Sequence, residues 1–420
     1  MLMNVLIFAA GLAVYAGFGM AGFAYLMAAV LISYGAGLLI PRCRQVLWVS
    51  ILVHAGALAL VKLQPLTGME LPAVLGISYF TLKIISYNVD VYREKYPPEK
   101  NLFRYGFYVT YLPQIYLGPI ERYDIFRANA FEKRKITWDG ISSGALRALW
   151  GLFKKLTIAA RAGVIVSAVA ASPEKYRGVF ALLAMVLYSV QLYADFSGGI
   201  DIVIGVSRML GVGVSENFDV PYASESFREF WRRWHMTLGS WLREYVYIPL
   251  GGNRKGKFRK WVNTIVTFLV SGLWHGGAYI LWGLFNGIFV SLGEKCKTPL
   301  KWLNRLVTFL LVSVLWAFFV WPDGMTALRM MGSLVTTFNY GDLIGQIGQL
   351  GLNRGEWIVF LGATASLCLW DFNLKSMGEK WKDFSPAARL ALMGGLGLVI
   401  LIFGMYGIGF DAQAFIYSKF

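Results

Sequence analysis

The chain has 420 residues, 57% of them hydrophobic and only 15% charged, with a formal net charge of +16. Soluble domains carry roughly a quarter charged residues, so this composition falls outside theirs, and the apolar runs are longer than a buried core requires. The runs are continuous rather than alternating every second residue, which excludes a membrane β-barrel and leaves membrane-spanning helices of about 20 residues.

In chain order, the candidate spans are 3–19, 21–40, 46–63, 71–90, 104–119, 145–170, 177–212, 261–292, 303–321, 355–371 and 387–407. They predict an all-α polytopic membrane protein with about 10–12 membrane helices. The first run lacks a basic leader and continues into further apolar sequence, so it is expected to be retained rather than cleaved. A full crossing at 104–119 would put the basic stretch from Arg122 to Lys135 on the wrong side. That run contains Pro113 and ends in Gly118-Pro119, which suits a re-entrant or shallow segment. The 177–212 and 261–292 segments are too long for one plain crossing, so each is tilted, broken or a close pair.

Basic residues gather in the short connections: Arg42 and Arg44; Arg93, Lys95, Lys100 and Arg104; Lys133, Arg134 and Lys135; Lys295, Lys297 and Lys301. By the positive-inside rule these turns are cytoplasmic. The positive charge therefore reads as topology, and as a face suited to anionic headgroups or an anionic donor, rather than as a nucleic-acid surface. Cys43, Cys296 and Cys368 show no pairing or CxxC spacing, so neither a disulfide framework nor a metal site is expected. There is no internal repeat, and the whole of 1–420 reads as one membrane domain.

The stretch 214–260 differs in kind: it is polar, basic and rich in aromatics. Phe227 to Tyr247 reads as helical and Pro249-Leu250-Gly251-Gly252 as a breaker. So polar a helix must lie at the interface or enter a protein-lined cavity. Within it, Glu229-Phe230-Trp231-Arg232-Arg233-Trp234-His235 offers Arg232 and Arg233 as phosphate-binding guanidinium groups, or its tryptophans as an interfacial belt.

Of the three histidines, His275 sits in Ser271-Gly272-Leu273-Trp274-His275-Gly276-Gly277, inside an apolar run. An ionisable group at membrane depth is costly and faces a cavity, and small neighbours leave room beside the ring. An imidazole there can accept a proton from a hydroxyl. The local sequence equally permits a buried histidine bonded to a carbonyl, and His54 in the third run reads as structural. Tyr193-Ala194-Asp195-Phe196-Ser197-Gly198-Gly199-Ile200-Asp201 puts two acids in a membrane run, six residues apart and off a common face unless the helix unwinds at the glycine pair. Asp195 and Ser197 either orient a histidine or arginine, or form a helix-packing cluster. No HExxH, nucleotide-binding glycine loop or GxSxG elbow is present.

Together these segments resemble the membrane-bound O-acyltransferases (MBOAT), in the bacterial branch of alginate O-acetyltransferase and teichoic-acid D-alanyltransferase. The matching pieces are Tyr193-Ala194-Asp195-Phe196-Ser197-Gly198-Gly199, Asn217-Phe218-Asp219-Val220-Pro221-Tyr222, Phe230-Trp231-Arg232-Arg233-Trp234-His235-Met236-Thr237-Leu238, Tyr247-Ile248-Pro249-Leu250-Gly251-Gly252-Asn253 and Ser271-Gly272-Leu273-Trp274-His275-Gly276. Tyr87-Asn88-Val89-Asp90-Val91-Tyr92-Arg93, the stretch from Leu112-Pro113-Gln114 to Gly118-Pro119-Ile120 and the terminal Phe415-Ile416-Tyr417 also fit. The resemblance implies re-entrant and interfacial helices around a central tunnel, with peripheral helices over 1–100 and a catalytic core over 185–295. It makes His275 the catalytic base and places His235 in the same tunnel, with Asp195, Ser197, Arg232, Arg233, Trp234, Asn253 and Trp274 as candidates around donor and substrate. It further implies a cytoplasmic thioester donor, acetyl-CoA or an acyl carrier protein, with no tightly bound cofactor. An extracytoplasmic SGNH-type partner would pass the acyl group to a surface polysaccharide. D-alanyl transfer toward teichoic acid is the alternative within the fold. A transporter with broken helices carrying Asp195 and His275 is the alternative outside it.

Overall fold

The computed structural model describes residues 2–406 except 69–70, 73, 116, 133, 293–297, 339–340 and 342. Lys133, Lys295, Lys297, Cys296 and the Phe415-Ile416-Tyr417 segment lie outside the described residues. Over the rest, the regular structure is helical, as expected where lipid leaves the backbone to satisfy its own hydrogen bonds. Five helices are long and apolar enough to cross a bilayer: Met20–Leu39, Val46–Gln64, Val179–Met209, Lys301–Val320 and Pro386–Phe403, with Leu2–Phe18 and Gly277–Leu292 as shorter apolar helices. The chain is a multi-pass integral membrane protein.

The other segments that raised the expectation to 10–12 are helical too: 355–371 lies within the 27-residue helix Arg354–Lys380, and the rest are shorter or interrupted. Ile77–Tyr92 is buried along nearly its whole length, including Lys83, whose ammonium is held by the Tyr108 carbonyl and by Gln114 Oε1 at 3.3 Å. The 104–119 run divides into Leu102–Thr110 and Leu112–Ile115, in keeping with a segment that does not cross. The 261–292 run is a close pair, Gly256–His275 and Ile280–Leu292, parted at Gly276, whose φ of 138° suits glycine. By contrast, 177–212 is one unbroken helix, Val179–Met209, 31 residues long.

That long helix runs antiparallel to Trp138–Phe153, and their backbones nearly touch. A methyl added at Gly144 would stand 2.5 Å from the Gly205 carbonyl oxygen, one at Gly205 would stand 2.5 Å from that of Gly144, and one at Gly151 would collide with the Gly198 carbonyl. Gly198 is therefore present to let a neighbouring helix approach, not to unwind its own. Gly151→Ala should push the pair apart and lower the detergent denaturation midpoint, at a cost of about 1–3 kcal/mol. An unchanged midpoint would argue against so close a contact.

Two of the basic turns share one end of the bundle. Arg44 donates to the Tyr92 carbonyl at 3.1 Å and pairs with Glu94 at 3.4 Å, and Arg93 reaches the Glu244 carbonyl at 3.2 Å. The polar stretch thus belongs to the end that carries Arg44 and Arg93. At the other end, the Lys62 carbonyl lies 4.0 Å from where a Cβ on Gly276 would sit.

Candidate active site

The polar stretch is not one helix from 227 to 247. It forms Phe227–Arg233 and Met236–Leu242, followed by a wide π turn at Arg243–Tyr247. Between the first two, His235 adopts the left-handed conformation with φ 44° and ψ 55°, at a cost of roughly 1 kcal/mol for a non-glycine residue. Buried Asn217 holds that break open. Its carbonyl accepts the Met236 N–H at 2.9 Å, and its Oδ1 accepts the Thr237 N–H at 3.1 Å and the Thr237 hydroxyl at 2.9 Å, and meets His235 Nδ1 at 3.1 Å. The Asp219 N–H adds a bond to the Arg233 carbonyl at 3.0 Å. Periodicity alone cannot register a helix cut by a side chain that arrives from 18 residues away.

His275 ends the Gly256–His275 helix. Its ring centroid lies 4.7 Å from Trp274, 5.4 Å from Trp282 and 5.6 Å from Phe319. The His235 ring sits edge-on to Phe196 at 4.9 Å and 6.2 Å from Trp274. One indole therefore stands beside both imidazoles, each of which is nearly enclosed, at 3% exposed for His235 and 5% for His275. The Trp274 N–H is anchored on the Ser78 carbonyl at 3.2 Å, and that of Trp241 on Leu82 at 2.9 Å, so the buried Ile77–Tyr92 helix braces the site with its backbone. Trp234 is buried in an aromatic cluster with Phe218 at 5.1 Å and Trp316 at 5.4 Å.

The other sequence candidates go elsewhere. Asp195 pairs with Lys155 at 2.7 Å, and Ser197 accepts from Lys154 at 2.8 Å, while Phe196 between them packs on His235. Lys154 also pairs with Asp201, which Arg147 engages at 2.9 Å. Arg233 is held by Glu229 at 2.7 Å, and Arg232 is exposed. Asn253 is exposed in the turn before the Gly256–His275 helix, at the opposite end from His275. It is Asn263 that binds this turn, donating to the Gly252 carbonyl at 2.8 Å and the Leu250 carbonyl at 3.2 Å.

Sequence reasoning passed over Lys154 and Lys155, although adjacent charges in an apolar run were a usable signal. It also quoted Asn217 only as part of a motif. A second clamp ties the polar stretch to the Gly118-Pro119 loop. The Glu121 carboxylate accepts the Ser215 hydroxyl at 3.1 Å and its backbone N–H, and the Ile120 N–H donates to Thr237 Oγ1 at 2.9 Å. Burial pushes the Glu121 carboxyl above its ordinary range, against the pull of those donors.

If the Asn217 clamp sets the His235 ring, Asn217→Ala should lower turnover by about 10–100-fold, the scale of an ångström-level misplacement. Donor affinity should be nearly unchanged, and separate measurements of kcat and KM test this. A rise in KM with kcat intact would reassign Asn217 to binding.

The sequence pattern of the MBOAT, membrane-bound O-acyltransferase family, matches residues 76–337, a span that includes both histidines and Asn217. Among curated relatives, the probable alginate O-acetylase AlgI of Pseudomonas fluorescens is 36% identical over 343 residues, 78% of this chain and 67% of that protein. Its counterpart in Pseudomonas putida is 39% identical over 334 residues, 77% of this chain and 66% of the relative. The teichoic acid D-alanyltransferase of Bacillus subtilis is 30% identical over 270 residues, 59% and 67% respectively. The chain spans about two thirds of the length of the alginate relatives it matches.

Proposed function

The chain belongs to the membrane-bound O-acyltransferase family, and from that we propose that it moves an acyl group, in the simplest case acetyl, from a cytoplasmic thioester toward hydroxyls of an exported polysaccharide. The observation that carries this reading is the convergence of His235 and His275 on the indole of Trp274, from two segments 40 residues apart. A lone buried histidine needs no such partner, whereas a site handling a proton and a developing charge uses two.

In the proposed reaction, His275 takes the proton of an acceptor hydroxyl as its oxygen attacks the thioester carbonyl. The tetrahedral intermediate collapses with the sulfur leaving, and the imidazolium returns its proton to the departing thiolate. The ester and the free thiol are the products, so the imidazole ends as it began. His235, held by Asn217, contributes a polar group beside the reacting carbonyl. The donor is acetyl-CoA or an acylated carrier protein, approaching from the end that bears Arg44 and Arg93. The basic turns support assigning that end to the cytoplasm. An extracytoplasmic SGNH-type partner would then pass the acyl group on to the glycan.

The test is transfer of label from radiolabelled acetyl-CoA by the purified chain to an added polysaccharide or partner. Absence of transfer, with label moving instead from D-alanyl carrier protein, would favour the second reading. The Bacillus subtilis relative supports that alternative.

A further inference from the structure

A cleft of about 200 Å³ opens between the polar stretch and the Gly256–His275 helix, lined among others by Arg228, Arg243, Lys260, Thr264, Thr267 and Phe268. Among the described residues its lining holds three cations and no acidic side chain. The acids nearest in sequence are committed elsewhere: Glu229 to Arg233 at 2.7 Å, Glu244 to Arg122 at 3.0 Å and Glu225 to Arg305 at 3.3 Å. Among the described residues, the Arg243 guanidinium and the Lys260 ammonium have no ion-pair partner. Cations converging on one cleft repel each other unless an anion joins them. The far wall changes character: Thr264 and Thr267 turn their hydroxyls back to the Lys260 and Asn263 carbonyls at 2.9 and 2.7 Å, leaving methyls and the Phe268 ring toward the cleft.

The geometry points to a binding site for a phosphate carried on an uncharged chain, with the phosphate among Arg228, Arg243 and Lys260 and the chain lying along Thr264, Thr267 and Phe268 toward the histidines. This moves the expected phosphate contacts from Arg232 and Arg233 to a different set of cations, drawn from three separate elements. Two molecules carry this chemistry: the phosphopantetheine of a thioester donor and an anionic phospholipid. Lys260 lies roughly 22 Å below His275 along the helix axis. A pantetheine arm of about a dozen bonds extends roughly 15 Å, so with the lysine side chain added the two lengths are of the same order. In its donor form the inference rests on the thioester reading; in its lipid form it does not.

The experiment uses the full chain in phosphatidylcholine nanodiscs. Coenzyme A is titrated by calorimetry in one arm, and phosphatidylglycerol retained from mixed nanodiscs is read by native mass spectrometry in the other. The wild type should hold one of the two, and Arg243→Gln/Lys260→Gln should weaken that ligand about tenfold or more. Arg243→Lys/Lys260→Arg should keep most of it. Lys257→Gln/Arg259→Gln removes equal charge from exposed positions in the first turn of the same helix and should change little. Equal weakening by both neutralised pairs, or no binding of either probe, overturns the site. His275→Ala should leave the ligand in place. If that variant retains transfer, the role given to His275 fails and the cleft stands; if the wild type transfers nothing from any thioester yet holds the ligand, the acyltransfer reading fails and the cleft stands; if the cleft variants bind normally while His275→Ala is inactive, the cleft alone fails.

Discussion

Replacing His275 with alanine should lower acyl transfer by about 10²–10⁴-fold, the range a positioned general base contributes, while the protein still extracts and elutes as a single folded species. The ring is packed edge-on by Trp282 and Phe319 and beside Trp274, so the variant leaves a small aromatic-lined cavity. The Gly256–His275 helix should survive this, because His275 is its last residue and its fixed partners lie earlier. His275→Gln separates chemistry from packing: it fills much of the space and keeps a hydrogen-bonding group but cannot serve as a base near neutral pH. Comparable loss in both variants, with denaturation midpoints close to wild type, is the expected pattern. Substantial transfer by either variant would remove His275 from the chemistry and with it the mechanism proposed above.

The largest stability effect is expected at Asp201. Its carboxylate is buried and joins Arg147 and Lys154 across the interface between Trp138–Phe153, the turn that follows it, and Val179–Met209. Asp201→Ala leaves Arg147 its pairing with Glu216 but strips Lys154 to the Ser197 hydroxyl and the face of the Tyr193 ring, 5.8 Å away. Breaking a buried pair from one side typically costs about 3–5 kcal/mol, because the abandoned charge stays buried. The denaturation midpoint in detergent should therefore drop sharply. Adding Lys154→Met removes the stranded charge and should recover part of the loss, since apolar replacement of both partners is often tolerated. If the double variant is no better than the single, the interface depends on Asp201 for its bond to Arg147 rather than for balancing Lys154.

Much of this architecture was legible in the residue pattern because lipid imposes a simple rule: the apolar runs became helices at nearly the expected places. The break at Gly276 and the division of the 104–119 run beside Pro113 follow from the chemistry of those two residue types. The errors came where tertiary contacts overrule local signals. The glycine pair at 198–199 reads as a weak point in isolation, yet the helix runs straight through because Gly151 of another segment presses on it. The 227–247 helix reads as continuous, yet Asn217 splits it at His235. For the site, the two histidines stood out by rarity and setting, but nothing in the spacing of their segments announces that Trp274 would stand beside both rings. The roles expected for Asp195 and Ser197 depended on which neighbours they would meet, and those neighbours were Lys155 and Lys154.

The path from Trp138 to Ala170 contains a π turn at Lys154–Ala159, in effect one residue more than regular winding needs. Deleting a residue there would smooth the helix but rotate everything beyond it by about 100° against everything before. With Lys154 and Lys155 held on Asp201 and Asp195, the Ala160–Ala170 helix would swing its buried side, Ala162, Ile165, Val166 and Val169, off its neighbours. The irregularity acts as a vernier: it sets the phase of the apolar helix that follows without disturbing the two lysines and the acids they meet on one neighbouring rod.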